Sequence, residues 1–322
     1  MNRGEANPEF WDGRRVAVTG GAGFLGKSVV STLTAANADV DVIRSSEFDL
    51  RDASAAREAL SGAATVIHLA ANVGGIGFNK RNPAPLAYDN LVMDANVFES
   101  CRELGVEKLV AACSVCAYPL ETEVPFREET IWDGYPEPSN APYGLAKKML
   151  LVLSDAYRRQ YGFDSCAPVI ANLYGPDDNF DLEDSHVIAA MVRKFSDAAA
   201  AGHEEVVLWG SGEPSREFLY VDDAARALVL CAEGLNTSEP VNIGVGRETK
   251  IRDLATLIAS SAGFEGETVW DRSRPDGQMK RGLDVSKARD LIGFEASTSL
   301  EDGIEKTVDW YRSSTSAAAA AE

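Results

Sequence analysis

Short apolar runs and longer helical stretches alternate along the first half of this chain. Val16-Ala-Val18 is a compact, largely β-branched run suited to a strand covered on both faces. Lys27–Leu33 then continues with helical spacing. Asp39–Ile43 and Thr65–Leu69 repeat the strand signature, and an apolar-periodic helix is predicted around Leu86–Leu104. Lys108–Ala112 predicts a further strand. An acidic, proline-bearing loop over Pro119–Pro142 is expected to wall a pocket, before a helix from Tyr143 to about Tyr161. Strands alternating with helices imply an α/β fold with parallel pairing.

The first strand runs directly into Thr19-Gly-Gly-Ala-Gly-Phe-Leu-Gly26. Its glycines satisfy a dinucleotide-binding turn in two registers, Gly21-x-Gly23-x-x-Gly26 and Gly20-x-x-Gly23-x-x-Gly26. Such a turn needs glycine for tightness, for close approach to a pyrophosphate and for helix packing, and it sets the phosphates at a helix N-terminus. The second strand ends in Arg44-Ser45-Ser46, with no acid for an NAD ribose. Arg44 therefore fits an NADP 2′-phosphate, or is an ordinary solvated arginine. Asp49-Leu50 either reaches the adenine or caps the helix beginning near Ala53. Ala70 and Ala71 are small enough to let backbone approach a cofactor. His68 reads as a strand histidine packed in the sheet, in preference to a ligand. Asn72–Gly77 is too glycine-rich for a helix and is expected as a loop.

Composition narrows the function classes. The 322 residues suffice for a large core and two lobes, and 45% hydrophobic with 25% charged content is that of a globular protein. A formal net charge of -19 opposes binding to nucleic acid or an anionic membrane, so an anionic ligand needs a local basic pocket. The polar Met1–Trp11 lacks a signal pattern, and the longest uncharged stretch, Ala59–Asn79, is too polar to be a membrane span. Five cysteines, an odd number, imply reduced thiols and a cytoplasmic location. Cys113-x-x-Cys116 invites a redox or zinc reading. The chain has no second such pair, and the motif ends a strand instead of opening a helix, so no metal is expected.

Tyr143 and Lys147 stand one helical turn apart and share a face. An ammonium beside a phenol favours the phenolate and can hold a nicotinamide ribose. With Ser114 from the neighbouring strand end, Tyr143 becomes a proton donor for a carbonyl receiving hydride. The spacing alone is that of any amphipathic helix; downstream of the glycine turn it acquires meaning.

Thr19–Gly26, Asp49-Leu50, His68-Leu-Ala-Ala71, Ser114, Tyr143-x-x-x-Lys147 and Asn172-Leu-Tyr-Gly-Pro176 resemble the extended short-chain dehydrogenase/reductases over roughly residues 13–312. Further segments resemble the branch that epimerises and reduces a GDP-linked 4-keto-6-deoxy-mannose. These are Val73–Ile76, Ser114–Pro119, Asp178–Phe180, Ser185–Ile188, Val207–Gly212, Arg216–Phe218 and Pro275–Gly277. The resemblance implies a Rossmann-type doubly wound parallel sheet with a smaller, mixed α/β C-terminal substrate lobe. Residues 1–173, rejoined by about 219–244, would bind NADP(H); 174–218 and 245–312 would cover a GDP-sugar. Residues 313–322, rich in alanine and serine, are expected as a flexible tail. Helices near 86–104 and 143–161 would pair with a second subunit's in a homodimer.

The same resemblance assigns roles. Epimerisation next to a carbonyl needs a base and an acid on opposite faces. Cys116 takes the first role and His186 the second; read singly, Cys116 is a small buried residue and His186 a surface residue at a helix start. Ser114, Tyr143 and Lys147 serve the carbonyl. Gly20, Gly23, Phe24, Leu25, Gly26, Arg44, Asp49, Leu50, Leu69, Ala70, Ala71, Tyr143, Lys147, Asn172, Leu173 and His186 would contact the cofactor. Asn172, Val187, Lys194, Trp209, Arg216 and Asp276 would contact substrate, and Lys280 and Arg281 are further candidates for its diphosphate. Ala22 stands where some relatives carry an arginine, Val115 replaces a common hydroxyl residue, and Ala117 is small enough to loosen the sugar pocket. The rival readings are a pure 3,5-epimerase, an enzyme of a 4-keto dideoxy sugar or heptose, and a non-catalytic NADP(H) sensor.

Overall fold

The computed structural model describes residues 5–182, 184–274 and 276–321. Strands β1 (Arg15–Thr19), β2 (Asp39–Ile43), β3 (Thr65–His68), β4 (Lys108–Ala111) and β6 (Ser165–Cys166) build the main sheet, while β5 (Cys113–Ser114) and β7 (Val169–Ile170) belong to a smaller one. The order of the main sheet is β2-β1-β3-β4-β6, with every pairing parallel. Pro168 cannot donate to a ladder, and the chain breaks there between β6 and β7. β5, β7 and a strand at Asn242–Ile243 continue the parallel pairing beyond the break.

Helices α1 (Pro8–Trp11), α2 (Phe24–Ala35), α3 (Ala53–Ala59), α4 (Ile76–Arg81), α5 (Pro83–Leu104) and α6 (Ala141–Tyr161) lie between these strands or precede them. α3, α5 and α6 pack together, while α2 packs on α8 (Val221–Gly234), which follows α7 (Val187–Ala201). The order reverses between β1 and β3, which leaves a crevice at their carboxyl ends. Val16, Val18, Val66, Ile67, Leu109 and Val110 are fully buried in the core beneath it. Each such side chain contributes about 1.5–3 kcal/mol relative to exposure.

Of α9 (Ile251–Ser261), α10 (Ser286–Ile292) and α11 (Leu300–Ala321), α9 and α11 join α7 in a second apolar cluster through residues such as Val192, Phe195, Ile258 and Val308. Leu283, Ala288 and Phe294 fill the first cluster instead, so this part of the C-terminal half leans on the main sheet.

Four expectations are corrected. α4 begins at Ile76 inside the glycine-rich stretch expected as loop, because Gly75 can stand at its N-cap and hydrogen-bond back to the Asp184 carbonyl (2.8 Å). Asp52, not Asp49, caps α3 by accepting from Ser54 and Ala55. Only the Glu137–Asn140 end of the acidic loop reaches the cleft, through Glu137, Ser139 and Asn140, while Phe126 and Ile131 are buried in the core. Ser313–Ala321, expected as a flexible tail, continues α11 as helix, in keeping with the helix-forming strength of alanine. Glu322 and Pro275 lie outside the described residues.

Candidate active site

A cleft of about 1300 Å³ opens at the carboxyl ends of β1 and β3, and every site residue assigned from the sequence lines it except the diphosphate candidate Lys280, which is exposed outside it. Gly20 takes φ +68, and a Cβ there would meet the Ala70 amide at 2.9 Å. A Cβ on Gly26 would lie 2.1 Å from the Gly20 carbonyl oxygen, so α2 can pack on the turn only without one. Gly23 is the N-cap of α2 and offers no side-chain cap, leaving first-turn amides for an outside acceptor. A Cβ on Gly21 would meet the Val18 carbonyl at 2.9 Å, so the backbone is close-packed at the glycines of both registers. This cradle fits a dinucleotide pyrophosphate.

Arg44 lines the next part of the cleft, half-exposed, with Ser45 and Ser46 beside it and Glu47 3.9 Å away. Asp49 faces the cleft but is committed to Arg51, whose guanidinium bond holds the carboxyl down at about 2. Arg51 also reaches Asp89 at 3.2 Å and was not singled out in the sequence. Leu50 is buried beneath them.

At the reacting centre Ser114 ends β5, and its hydroxyl accepts from the Cys116 amide (3.2 Å), closing the short helical turn that carries Cys116. Arg281 Nη1 lies 3.7 Å from Cys116 Sγ. Its guanidinium is braced by Gln278 Oε1 at 3.0 and 3.1 Å. Arg281, a diphosphate candidate in the sequence, thus sits against the sulfur. Val115 and Ala22 line the cleft, whereas Ala117 is fully buried and does not; its size cannot loosen the pocket. Cys113 is inert: burial pushes its thiol up to about 12, the opposite of what a redox or metal thiolate requires.

Tyr143 departs from the sequence expectation. Burial and the neighbouring Cys116, Cys113 and Asp94 push its phenol up, outweighing the Ser114 hydrogen bond that favours the phenolate. The Lys147 ammonium donates to Asp94 (3.2 Å) in a buried pair. Tyr143 is thereby kept as a protonated acid.

His186 is the N-cap residue of α7, half-exposed to the cleft. Its Nδ1 lies 3.8 Å from Asp178 Oδ1, and that carboxylate raises the imidazole pKa against the opposing effect of burial. Asp178 appeared in the sequence only within a motif; its pairing is a tertiary fact. Asn172 donates to the Glu217 carbonyl (3.0 Å), with Leu173 and Val187 nearby on the cleft wall.

The far end is basic and aromatic. Trp209 is 60% exposed, with Lys194 5.9 Å and Arg274 5.0 Å from its ring centroid. Lys194 donates to the Val207 carbonyl, and Asp276 accepts from the Ser211 amide and hydroxyl at 2.6 and 2.8 Å. Burial, then Arg281, lowers the Arg216 guanidinium to about 10. An acidic protein thus carries a local cationic wall where an anionic ligand could lie.

The glycine cradle, the doubly wound sheet and the tyrosine–lysine centre at its switch point define a dinucleotide-dependent α/β enzyme. The chain belongs to the NAD dependent epimerase/dehydratase family, which it matches over residues 16–244. It is 44% identical to GDP-L-fucose synthase 1 of Arabidopsis thaliana over 246 residues, 76% of each chain. The GDP-L-fucose synthetase of Naegleria fowleri bound to NADP superposes with a TM-score of 0.87 at 32% identity, covering 98% of this chain and 97% of that one. A GDP-6-OMe-4-keto-L-xylo-heptose reductase from C. jejuni gives a TM-score of 0.88 at 26% identity, covering 94% and 98%.

Proposed function

We propose that this protein converts GDP-4-keto-6-deoxy-D-mannose to GDP-L-fucose by 3,5-epimerisation followed by reduction of the 4-keto group. The observation that carries the reading is one cleft in which Cys116 and His186 accompany Ser114, Tyr143 and Lys147. Cys116 removes the proton next to the carbonyl, with the Arg281 guanidinium beside its sulfur. His186, its imidazole pKa raised by Asp178, returns a proton on the other face. Ser114 and Tyr143 hydrogen-bond the enolate oxygen. When bound, NADPH supplies the hydride for C4. Tyr143 then gives its proton to the C4 oxygen, and Lys147 steadies the developing charge.

Gly20, Gly23, Gly26 and the amides opening α2 hold the cofactor pyrophosphate, and Arg44 its 2′-phosphate. Lys194 and Arg216 hold the substrate diphosphate, with Trp209 against the base and Asp276 orienting the wall. The segments 1–173 and 219–244 form the cofactor half; 174–218 and 245–312 form the sugar-nucleotide half.

Tyr88, Leu91, Leu145, Met149 and Val152 leave an apolar surface on α5 and α6, 36–64% exposed, and this supports a homodimer through those helices. No helix among the described residues is long and apolar enough to cross a membrane. Its free cysteines fit a cytoplasmic setting.

The test is incubation with NADPH and the 4-keto sugar in heavy water. Deuterium at C3 and C5 together with NADPH oxidation is expected. Deuterium without oxidation indicates a pure epimerase, and oxidation without deuterium a 4-reductase. NADPH binding with neither points to a GDP-heptose substrate, the second reading supported by the C. jejuni likeness, or to a sensor.

A further inference from the structure

On α5, the buried face reads Leu86, Asn90, Asp94, Val97 and Cys101. A carboxylate on such a face is costly unless it is paired. Asp94 Oδ1 accepts from Lys147 Nζ (3.2 Å) and lies 2.9 Å from His68 Nε2; all three side chains are at most 2% exposed. His68 Nδ1 lies 2.7 Å from Thr19 Oγ1, which also accepts from the Leu69 and Ala70 amides at 3.2 Å each.

Those two amide donors assign the tautomer. The Thr19 oxygen already accepts, so its own proton goes to His68 Nδ1, and the Nε2 proton goes to Asp94. Burial, opposed by Asp94, lowers the His68 pKa, so the ring is neutral. Burial alone would raise the Asp94 carboxyl; Lys147 and His68 outweigh it and hold the carboxyl below its usual range. The groups facing Asp94 are Lys147 and Tyr143 from α6, His68 from β3 and Cys113 from β5. The chain terminates on backbone amides, which donate protons in hydrogen bonds and cannot pass them on. It is a strut and not a proton path.

We propose that Asp94 is a positioning residue that, braced through His68 and Thr19 by the ends of β1 and β3, holds the Lys147 ammonium charged and aimed into the cleft before any cofactor arrives. What Lys147 then does rests on the function proposed above; the strut itself belongs to the ligand-free protein.

The test is competitive acetylation of the ligand-free protein with acetic anhydride at pH 8, with Lys147 labelling read by peptide mass spectrometry against the exposed lysines of the same chain. Only the neutral amine reacts. Asp94→Asn leaves the buried ammonium without its counter-charge, and Lys147 labelling rises about tenfold or more. Asp94→Glu restores the negative charge and returns labelling toward native. Unchanged labelling in the asparagine variant overturns the proposal, as does an equal rise in both variants. If Asp94→Asn does not fold, the proposal expects the double variant Asp94→Asn, Lys147→Met to regain folding by removing both charges. A double variant as unfolded as the single one overturns it. Neither substrate nor NADPH enters the assay, so a wrong substrate assignment would show in turnover while leaving this result intact.

Discussion

Replacing Asp178 by asparagine separates the proposed acid from its counter-charge with almost no change in shape. His186 Nδ1 and Asp178 Oδ1 are 3.8 Å apart, the carboxylate 4% and the imidazole 50% exposed. Coulomb attraction at that distance is about 4 kcal/mol at an effective dielectric of 20 and about 1 kcal/mol in water. Half-exposure of the imidazole favours the lower figure. Asp178 raises the His186 pKa, so the acid function is complete below that pKa and is lost as pH rises through it. In Asp178→Asn the alkaline limb of deuterium incorporation should therefore move to lower pH. NADPH oxidation with an already epimerised 4-keto sugar should keep its native profile, because that step draws its proton from Tyr143. A limb that stays in place refutes the pairing. An equal fall in both steps at every pH marks structural damage and refutes the assigned role.

Gly26→Ala brings a Cβ within 2.1 Å of the Gly20 carbonyl, a backbone contact that no rotamer relieves. NADPH affinity by fluorescence titration should fall at least tenfold; native affinity would remove the cradle argument. Glu217 accepts from the Val245, Gly246 and Leu283 amides and so ties the segments after α8 to the sheet. Glu217→Gln turns an NH₂ toward one of these donors, a cost of about 2–3 kcal/mol, and thermal unfolding should begin several degrees lower. Met149→Asp places a charge on the exposed α6 stripe. Light scattering should then give a monomer where the native protein gives a dimer, and an unchanged mass excludes this face.

Local chemistry made much of the site legible. The glycine turn is written in consecutive residues because only glycine fits its close approaches, and Tyr143-x-x-x-Lys147 survives as a helical spacing. The electrostatic partners were not legible. Asp94 reaches Lys147 from 53 residues away and Arg281 reaches Cys116 from 165. A clue lay in α5, where Asn90 and Asp94 interrupt an otherwise apolar face at one-turn spacing. The tail was misread because its polar serines and repeated alanines fit either a frayed end or a helix.

The sequence by itself determined the alternation of strand and helix, the dinucleotide turn and the set of residues that meet in the cleft. Periodicity and glycine placement are local properties, fixed by backbone sterics and by which side chains can be buried. Only the tertiary structure decided the protonation state of Tyr143, the partner of Lys147, the counter-charge of His186 and the place of Arg281. Those depend on burial and on distances between charges far apart in the chain, and both come into being only when the sheet and its helices close around the cleft.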